Sequence, residues 1–301
     1  MASARDMLLR MRSVNNISQV TRALEAVSAS KVRQAQQAVQ ASRAYAGRVQ
    51  NVLHHLASQG GAQQLHPLLS GRDPVKKIGL LLLSSDRGLA GAYNMNITRV
   101  ALDFARERGV PVQWVTVGHK GRDLAHRAGA KISADFASFR VSPAFAEVTP
   151  ISRTLLDDFL SGGVDEVYLA YTDFVNTLRQ MPQVTRLLPL APPESDEQTV
   201  GGRDLGENDA AHFEYIYEPE PVELLAAVLP RFTQVQVYQA TLESLASEHS
   251  ARMVAMRNAT DNANELSNNL RLAYNKARQL AVTSDLLDIA GGAEALQSAS
   301  A

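Results

Sequence analysis

The placement of glycine and proline constrains this chain more than any other feature. Its 301 residues carry 18 Gly and 12 Pro, yet neither occurs from Met1 to Ala46 or from Arg231 to Ala290. Inside a helix, glycine costs about 1 kcal/mol and proline about 3 kcal/mol relative to alanine. Two long breaker-free ends around a punctuated middle therefore predict two long helices flanking an α/β domain.

The C-terminal stretch fits a heptad template. Alternate steps of three and four give Leu242, Leu245, His249, Arg252, Met256, Ala259, Ala263, Leu266, Leu270, Ala273, Ala277, Leu280, Ser284 and Leu287, of which eleven of fourteen are apolar. Such a stripe is the mark of a coiled-coil seam. The same stepping through Val14, Ile17, Thr21, Leu24, Ser28, Lys31, Ala35, Ala38, Ser42, Tyr45, Val49 and Val52 gives eight apolar residues of twelve. Both seams are rich in Ala and Ser, which lets backbones approach closely but buries little apolar area. The expected arrangement is an antiparallel pair formed by the two chain ends, with the longer C-terminal helix running past its partner. Gly60-Gly61 supplies a stop for the first helix.

The middle alternates strand and helix patterns. Lys77 to Ser85 is apolar on both faces, as a buried parallel strand should be. A loop leads from it into a helix over Asn96–Arg108. A strand at Pro111–Gly118 and a short helix at His119–Ala128 follow, then a helix at Ile151–Leu160 and strands at Asp165–Tyr171 and Gln183–Leu190. This alternation favours a small open sheet with crossover helices, that is, a central Rossmann-like α/β domain. Residues 191–211 hold six Asp/Glu against one Arg and read as a surface loop, with an edge strand at His212–Tyr217 before Pro221 opens the long helix. The expected division is a coiled-coil helix over 1–59, an α/β domain over 75–218 and a second coiled-coil helix over 221–296.

Composition removes several classes of function. The chain has no Cys, so disulfides, thiolate metal sites and cysteine catalysis are excluded. A net charge of −1 gives no global attraction to nucleic acid or anionic membrane. The longest apolar run, Ile78 to Leu83, is far shorter than the roughly 20 residues that span a bilayer. The opening MASARDMLLRMRS lacks the apolar core of a secretory signal. Direct membrane insertion is therefore not expected.

No constellation of catalytic residues emerges. The loop Ser85-Asp86-Arg87-Gly88-Leu89-Ala90-Gly91-Ala92-Tyr93-Asn94 sits where a phosphate-binding turn would sit, but its glycines match neither dinucleotide-binding nor P-loop spacing. Its plain reading is a tight strand-to-helix turn in which Asp86 and Arg87 pair locally. The seven histidines show no metal-ligand spacing, and His249 reads as a core or interface histidine. Residues 1–46 carry seven Lys/Arg against Asp6 and Glu25, either a solvated face or a surface for an acidic partner. Nucleic acid fits less well, because no aromatic residues interleave the basic ones. The C-terminal helix contains Asn258, Asn262, Asn264, Asn268, Asn269 and Asn275, and asparagine is a mediocre helix former. Two alternatives stand beside a partner-binding role: an α/β enzyme with a ligand at the Asp86–Asn94 loop, and a coiled-coil scaffold.

Several runs resemble one family. Ser13-Val14-Asn15-Asn16-Ile17-Ser18-Gln19-Val20-Thr21-Arg22-Ala23-Leu24-Glu25 resembles the opening helix of the gamma subunit of F-type ATP synthase, in its bacterial form. The Ser85–Asn94 loop is similar to that family's internal loop. The likeness is closest at Ala246-Ser247-Glu248-His249-Ser250-Ala251-Arg252-Met253-Val254-Ala255-Met256-Arg257-Asn258-Ala259-Thr260-Asp261-Asn262. It resumes at Tyr274-Asn275-Lys276-Ala277-Arg278-Gln279 and at Val282-Thr283-Ser284-Asp285-Leu286-Leu287-Asp288. Asp285 stands where the family usually has Glu, residues 191–211 look like a variable insertion, and the cysteine pair of plant plastid members is missing.

The resemblance implies a rotary shaft that couples proton-driven rotation to ATP synthesis. Its terminal helices would stand inside a ring of three alpha and three beta subunits. Its α/β foot would meet the epsilon subunit and the membrane c-subunit ring. The chain itself would be a non-catalytic subunit without a cofactor or bound metal, peripheral on the cytoplasmic face of the bacterial inner membrane. By motif, Arg278, Gln279 and Thr283 resemble residues that contact the catalytic ring. Glu248 and Arg252 resemble a second such contact, and Leu24 occupies a position that in the family faces a beta-subunit lever. The loop residues Asp86, Arg87, Gly88, Gly91 and Asn94 belong to the family motif.

Overall fold

Ile78 to Leu83 form strand β1, and every residue in it is buried. The reason is two-sided cover. Leu81 and Leu83 join one apolar cluster, while Ile78, Leu80 and Leu82 join another on the opposite face. A strand with both faces out of water needs a continuous apolar run rather than alternation.

The computed structural model describes residues 4–57, 66–190 and 221–299, with side-chain surroundings for 5–43, 66–190 and 226–291. In order, the elements are α1 (Ala4–Ala57), β1 (Ile78–Leu83), α2 (Tyr93–Arg108), β2 (Val112–Val117), α3 (His119–Arg127), β3 (Lys131–Phe136), α4 (Phe145–Leu160), β4 (Glu166–Phe174), β5 (Gln180–Leu188) and α5 (Pro221–Ala299). The strands form one sheet in the order β3-β2-β1-β4-β5, parallel except for β5, which pairs antiparallel with β4. On one face Ile97 and Ala101 of α2 and Ala125 of α3 pack beside Trp114 and Tyr168. On the other, Ile151, Leu155 and Phe159 of α4 pack with Leu229, Phe232 and Val237 of α5.

The chain divides into two compact units, Ser28–Arg252 and a second one made of Met1–Val27 with Met253–Ala301. In the larger unit, Ala35 and Val39 of α1 pack against Leu242 and Ala246 of α5 and Phe174 of β4. In the smaller unit, Ser267 Oγ donates to Asn15 Oδ1 at 2.7 Å and Ser18 Oγ donates to Asn264 Oδ1 at 2.8 Å. The hydroxyls of Thr21 and Thr260 lie 2.7 Å apart. Residues 15, 18 and 21 thus meet 267, 264 and 260, an antiparallel register.

That register corrects the expected seams. Stepping by apolar content places Ile17, Ala259 and Leu266 inside, but Ile17 is 52% and Leu266 49% exposed. The contact uses Ser18, Thr260 and Ser267 instead, so α5 steps four then three rather than three then four. Small hydroxyls that bond across the seam outcompete larger apolar residues because they allow close approach while satisfying each other. In the larger unit Val32 and Val39 are buried rather than Lys31 and Ala38 leading the stripe. Beyond Ala277 the expected seam has no partner among the described residues: Leu280, Ser284 and Leu287 are exposed. Continuing the register one-for-one brings Ala4, where α1 begins, opposite Arg278.

Other elements differ in extent. Helix α2 begins at Tyr93, three residues before the expected start. β3 was not expected; its burial alternates between exposed and half-buried along an edge strand, so no apolar run announces it. α4 begins at Phe145 and continues through Pro150, where the sequence suggested a start at Ile151. Buried Val148 and the edge-on contact of Phe145 with Tyr238, ring centroids 5.4 Å apart, offset the cost of the proline. β4 extends to Phe174, and β5 runs three residues earlier than expected at its start and two at its end. Gly60-Gly61, the 191–211 loop and the His212–Tyr217 strand lie outside the described residues.

Candidate functional site

The loop between β1 and α2 is built from polar residues that consume one another. Ser85 Oγ donates to the carbonyl of Arg87 at 2.7 Å, closing a tight turn. Asn94 Oδ1 accepts the Ser85 N–H at 3.1 Å, and its Nδ2 donates to Ser85 Oγ at 2.8 Å. Asp86 does not pair with Arg87. Its Oδ1 accepts the His119 N–H at 3.0 Å, and its two oxygens accept the Ser138 N–H at 3.2 and 3.1 Å.

Asp86 therefore sits at the N-terminus of α3, where backbone N–H groups and the helix dipole favour a negative charge. Ser84 Oγ accepts the Gly121 N–H at 3.0 Å in the same turn. The position at which a phosphate would be welcome in a fold of this type is filled by the chain's own carboxylate and hydroxyl. Of the two motif glycines, only Gly91 takes a left-handed conformation, at φ 56°, while Leu89 does so with a full side chain at φ 62°. A bulky residue there is strained. Its side chain is 65% exposed.

Helix α5 holds this loop from beneath. Arg252 Nε donates to the carbonyl of Gly88 at 3.3 Å, and Nη2 reaches the carbonyls of both Gly88 and Arg87 at 3.3 Å. Its Nη1 pairs with Glu248 Oε1 at 2.8 Å, with both side chains largely buried. Burial raises the Glu248 carboxyl above its ordinary range, and Arg252 opposes that rise. His249 Nδ1 lies 3.3 Å from Arg252 Nη1. Burial first, then the Arg252 and Lys31 charges, lower this imidazole from 6.5 to about 4, so it is neutral at physiological pH. The Tyr93 hydroxyl lies 2.9 Å from Ser244 Oγ, and burial raises its pKa further than any neighbour lowers it.

The motif residues thus fall into two groups. Asp86, Arg87, Gly88, Gly91, Asn94, Glu248 and Arg252 come together in the larger unit. Glu248 and Arg252 are turned inward onto the loop. Arg278, Gln279 and Thr283 lie exposed on α5 in the smaller unit, where the Thr283 hydroxyl donates to the Gln279 carbonyl at 2.9 Å. Leu24 is half-buried on α1 in that unit. Sequence reasoning missed Tyr93 and Ser244, and it missed Arg43, Asp173 and Glu243, a charged cluster whose two carboxyls are buried. Only the presence of Glu243 between the seam leucines Leu242 and Leu245 hinted at the last. Among the described residues, no group of three or more acidic or histidine side chains could hold a metal ion, and no helix is long and apolar enough to cross a membrane.

Comparison with known proteins bears on these surfaces. A family described as ATP synthase matches residues 3–296. A chain of Dehalococcoides mccartyi called ATP synthase gamma chain is 47% identical over 298 residues, covering 98% of this chain and 100% of the relative. A Roseiflexus castenholzii chain of the same name is 44% identical, covering 98% and 99% respectively. A Legionella pneumophila one is 38% identical, covering 98% of this chain and all of the relative. Among solved structures, a chain of the Euglena gracilis mitochondrial ATP synthase, in a complex described as OSCP/F1/c-ring, superposes with a TM-score of 0.64 at 16% identity, covering 98% of this chain and 95% of that one. A central stalk/c-ring structure from Tetrahymena thermophila gives 0.60 at 23% identity, covering 80% and 99%. At those identities the superpositions show a shared fold.

Proposed function

The chain belongs to the ATP synthase gamma chain family, and we propose that it is the central rotor shaft of a bacterial F-type ATP synthase, coupling proton-driven rotation to ATP synthesis. The observation that carries this reading is a likeness running unbroken through nearly the whole chain, helices and α/β domain together. The antiparallel pairing of α1 with α5 supports it. In this reading the ends, residues 1–59 and 221–296, form a coiled-coil shaft, and residues 75–218 form a foot.

The chain is a non-catalytic subunit. Its partners are three alpha and three beta subunits around the shaft, with the epsilon subunit and the membrane c-subunit ring at the foot. Its place is peripheral, on the cytoplasmic face of the inner membrane. A partner biases a site only by interacting differently with that site's alternative states. A shaft without three-fold symmetry presents a different face to each of three catalytic subunits, so turning it cycles each through different affinities for nucleotide. The exposed end of α5, with Arg278, Gln279 and Thr283, is the surface for the ring, and Leu24 faces it from α1. Glu248 and Arg252 act by a different route, holding the Asp86–Asn94 loop in the form that a partner meets.

The test is ATP turnover by the alpha and beta subunits of the same source, reconstituted with and without this chain. A stable complex holding one copy, with faster sustained hydrolysis, is the expected result. No complex and no change in turnover would overturn the reading.

A further inference from the structure

Three elements meet at one cluster of charge, its two carboxyls buried and its guanidinium side chain 32% exposed. Arg43 of α1 reaches Glu243 Oε1 of α5 with Nε at 3.3 Å and Asp173 Oδ1 of β4 with Nη2 at 3.8 Å. Nη2 also donates to the carbonyl of Phe174 at 3.2 Å. The Glu243 side chain is 0% exposed and that of Asp173 7%. Gln239 Nε2 donates to Glu243 Oε1 at 2.7 Å, whereas Oε2 meets no donor among the described residues. The Asp173 carboxyl adjoins that of Glu243. From β4, Tyr171 completes the surroundings, its hydroxyl accepting from Gln183 Nε2 of β5 at 2.6 Å, and burial keeps that phenol protonated.

Two carboxyls here share one guanidinium. With both ionised, a net negative charge is buried and one oxygen lacks a donor, which is costly out of water. One proton held between them balances Arg43 and supplies the missing donor. We propose that Arg43, Asp173 and Glu243 form a proton-dependent clasp, in which a proton shared by the two carboxyls fastens α1 to α5 and β4, and whose loss loosens α1 around Arg43.

Burial first, then the neighbouring Asp173, pushes Glu243 up from 4.5 to about 7 against the opposing charge of Arg43. The closed form therefore holds its proton more tightly than the open one. Closure is fully favoured below the ordinary carboxyl range and is lost as pH rises through about 7. The opening equilibrium rises by up to about tenfold per pH unit within that window. The apolar contact of Ala35 and Val39 with Leu242, Ala246 and Phe174 carries no titrating group, so the loosening stays local.

Hydrogen–deuterium exchange of the full chain tests this, read at about pH 6 and about pH 8.5 and corrected for intrinsic exchange. Peptides covering Val39–Arg43 and Thr172–Phe174 should lose protection by up to about tenfold at the higher pH, while Ile78–Leu83 does not. Glu243→Gln, an amide in place of the protonated carboxyl, should keep protection at both pH values. Asp173→Asn should do the same and serves if the first variant does not fold. Protection around Arg43 that is independent of pH in the parent chain, or a folded Glu243→Gln chain that follows the parent's curve, would overturn the clasp.

Discussion

Arg252 Nε lies 3.3 Å from the carbonyl oxygen of Gly88, joining α5 to a loop 164 residues earlier in the chain. The same guanidinium is paired with Glu248, so one side chain ends a buried ion pair and fixes a loop. The loop's other end is tied by Ser85 and Asn94. Between these two ties Leu89 is held in a left-handed conformation that an unconstrained leucine avoids.

Removing the guanidinium should cost more than removing the pair. Arg252→Ala leaves Glu248 buried without its cation, and breaking such a pair from one side costs about 3–5 kcal/mol. Replacing both partners, Glu248→Leu with Arg252→Leu, removes the stranded charge and should lose clearly less. Urea unfolding of the three chains checks the order, and a double variant as unstable as Arg252→Ala would refute it.

Gly118 should tolerate no side chain. Its φ is 92°, and an added Cβ would stand 2.5 Å from the carbonyl oxygen of Ser84. That carbonyl belongs to backbone pinned by the Ser84 N–H, which donates to Val117 O at 2.8 Å. Strain and clash together predict a loss of about 3 kcal/mol or more for Gly118→Ala. Gly109, at φ 66° with open space around it, carries only the conformational penalty. Gly109→Ala should therefore cost about 1 kcal/mol. Thermal unfolding of both variants distinguishes the two causes.

His249 gives the chain an acid-sensitive core. Its imidazole titrates at about 4 in the folded chain against 6.5 ordinarily, so the unfolded chain binds the proton more readily between those values. Stability is then lost as pH falls from about 6.5 toward about 4, by up to about 3 kcal/mol. Glu243 acts in the opposite sense over much of that range, so the parent's curve alone does not isolate either group. Subtracting the urea midpoints of His249→Gln from those of the parent does. That difference, parent minus variant, should fall steadily as pH drops from about 6.5 toward about 4, and a flat difference would show that His249 is not the group responsible.

The long helices were legible because glycine and proline are costly in a helix wherever it occurs. β1 was legible because two-sided burial demands an unbroken apolar run. The phase of the helix pair was not. It depends on Ser18, Thr260 and Ser267 bonding across the contact beside Thr21, and of these four the expected seam holds only Thr21. β3 escaped because Lys131–Phe136 is a half-exposed edge strand, and α4 was shortened because Pro150 looks like a start when tertiary packing overrides it. At the site, motif likeness singled out Glu248 and Arg252, but their inward direction follows from packing onto Gly88, 164 residues away in the chain. Asp86 was assigned to its neighbour Arg87. Its true partners, His119 and Ser138, come close only once β1, β2 and β3 are side by side.

Arg278 should separate function from fold. Its side chain is exposed, in a stretch of α5 from Arg278 to Gly291 that is exposed throughout. Among the described residues it has no hydrogen-bond or ion-pair partner, so Arg278→Ala should unfold at the same urea concentration as the parent. In the proposed rotor it meets the catalytic ring. Truncating one partner of a buried charge contact costs about 2–5 kcal/mol, most of it in holding the bound state. ATP synthesis by the reconstituted complex should therefore fall about tenfold or more, while the amount of assembled complex changes little. Glu248→Gln offers the contrast. Because its side chain faces the Asp86–Asn94 loop, its loss should appear first as lower stability of the isolated chain. Normal synthesis by Arg278→Ala complexes would remove this residue from the working surface of the shaft.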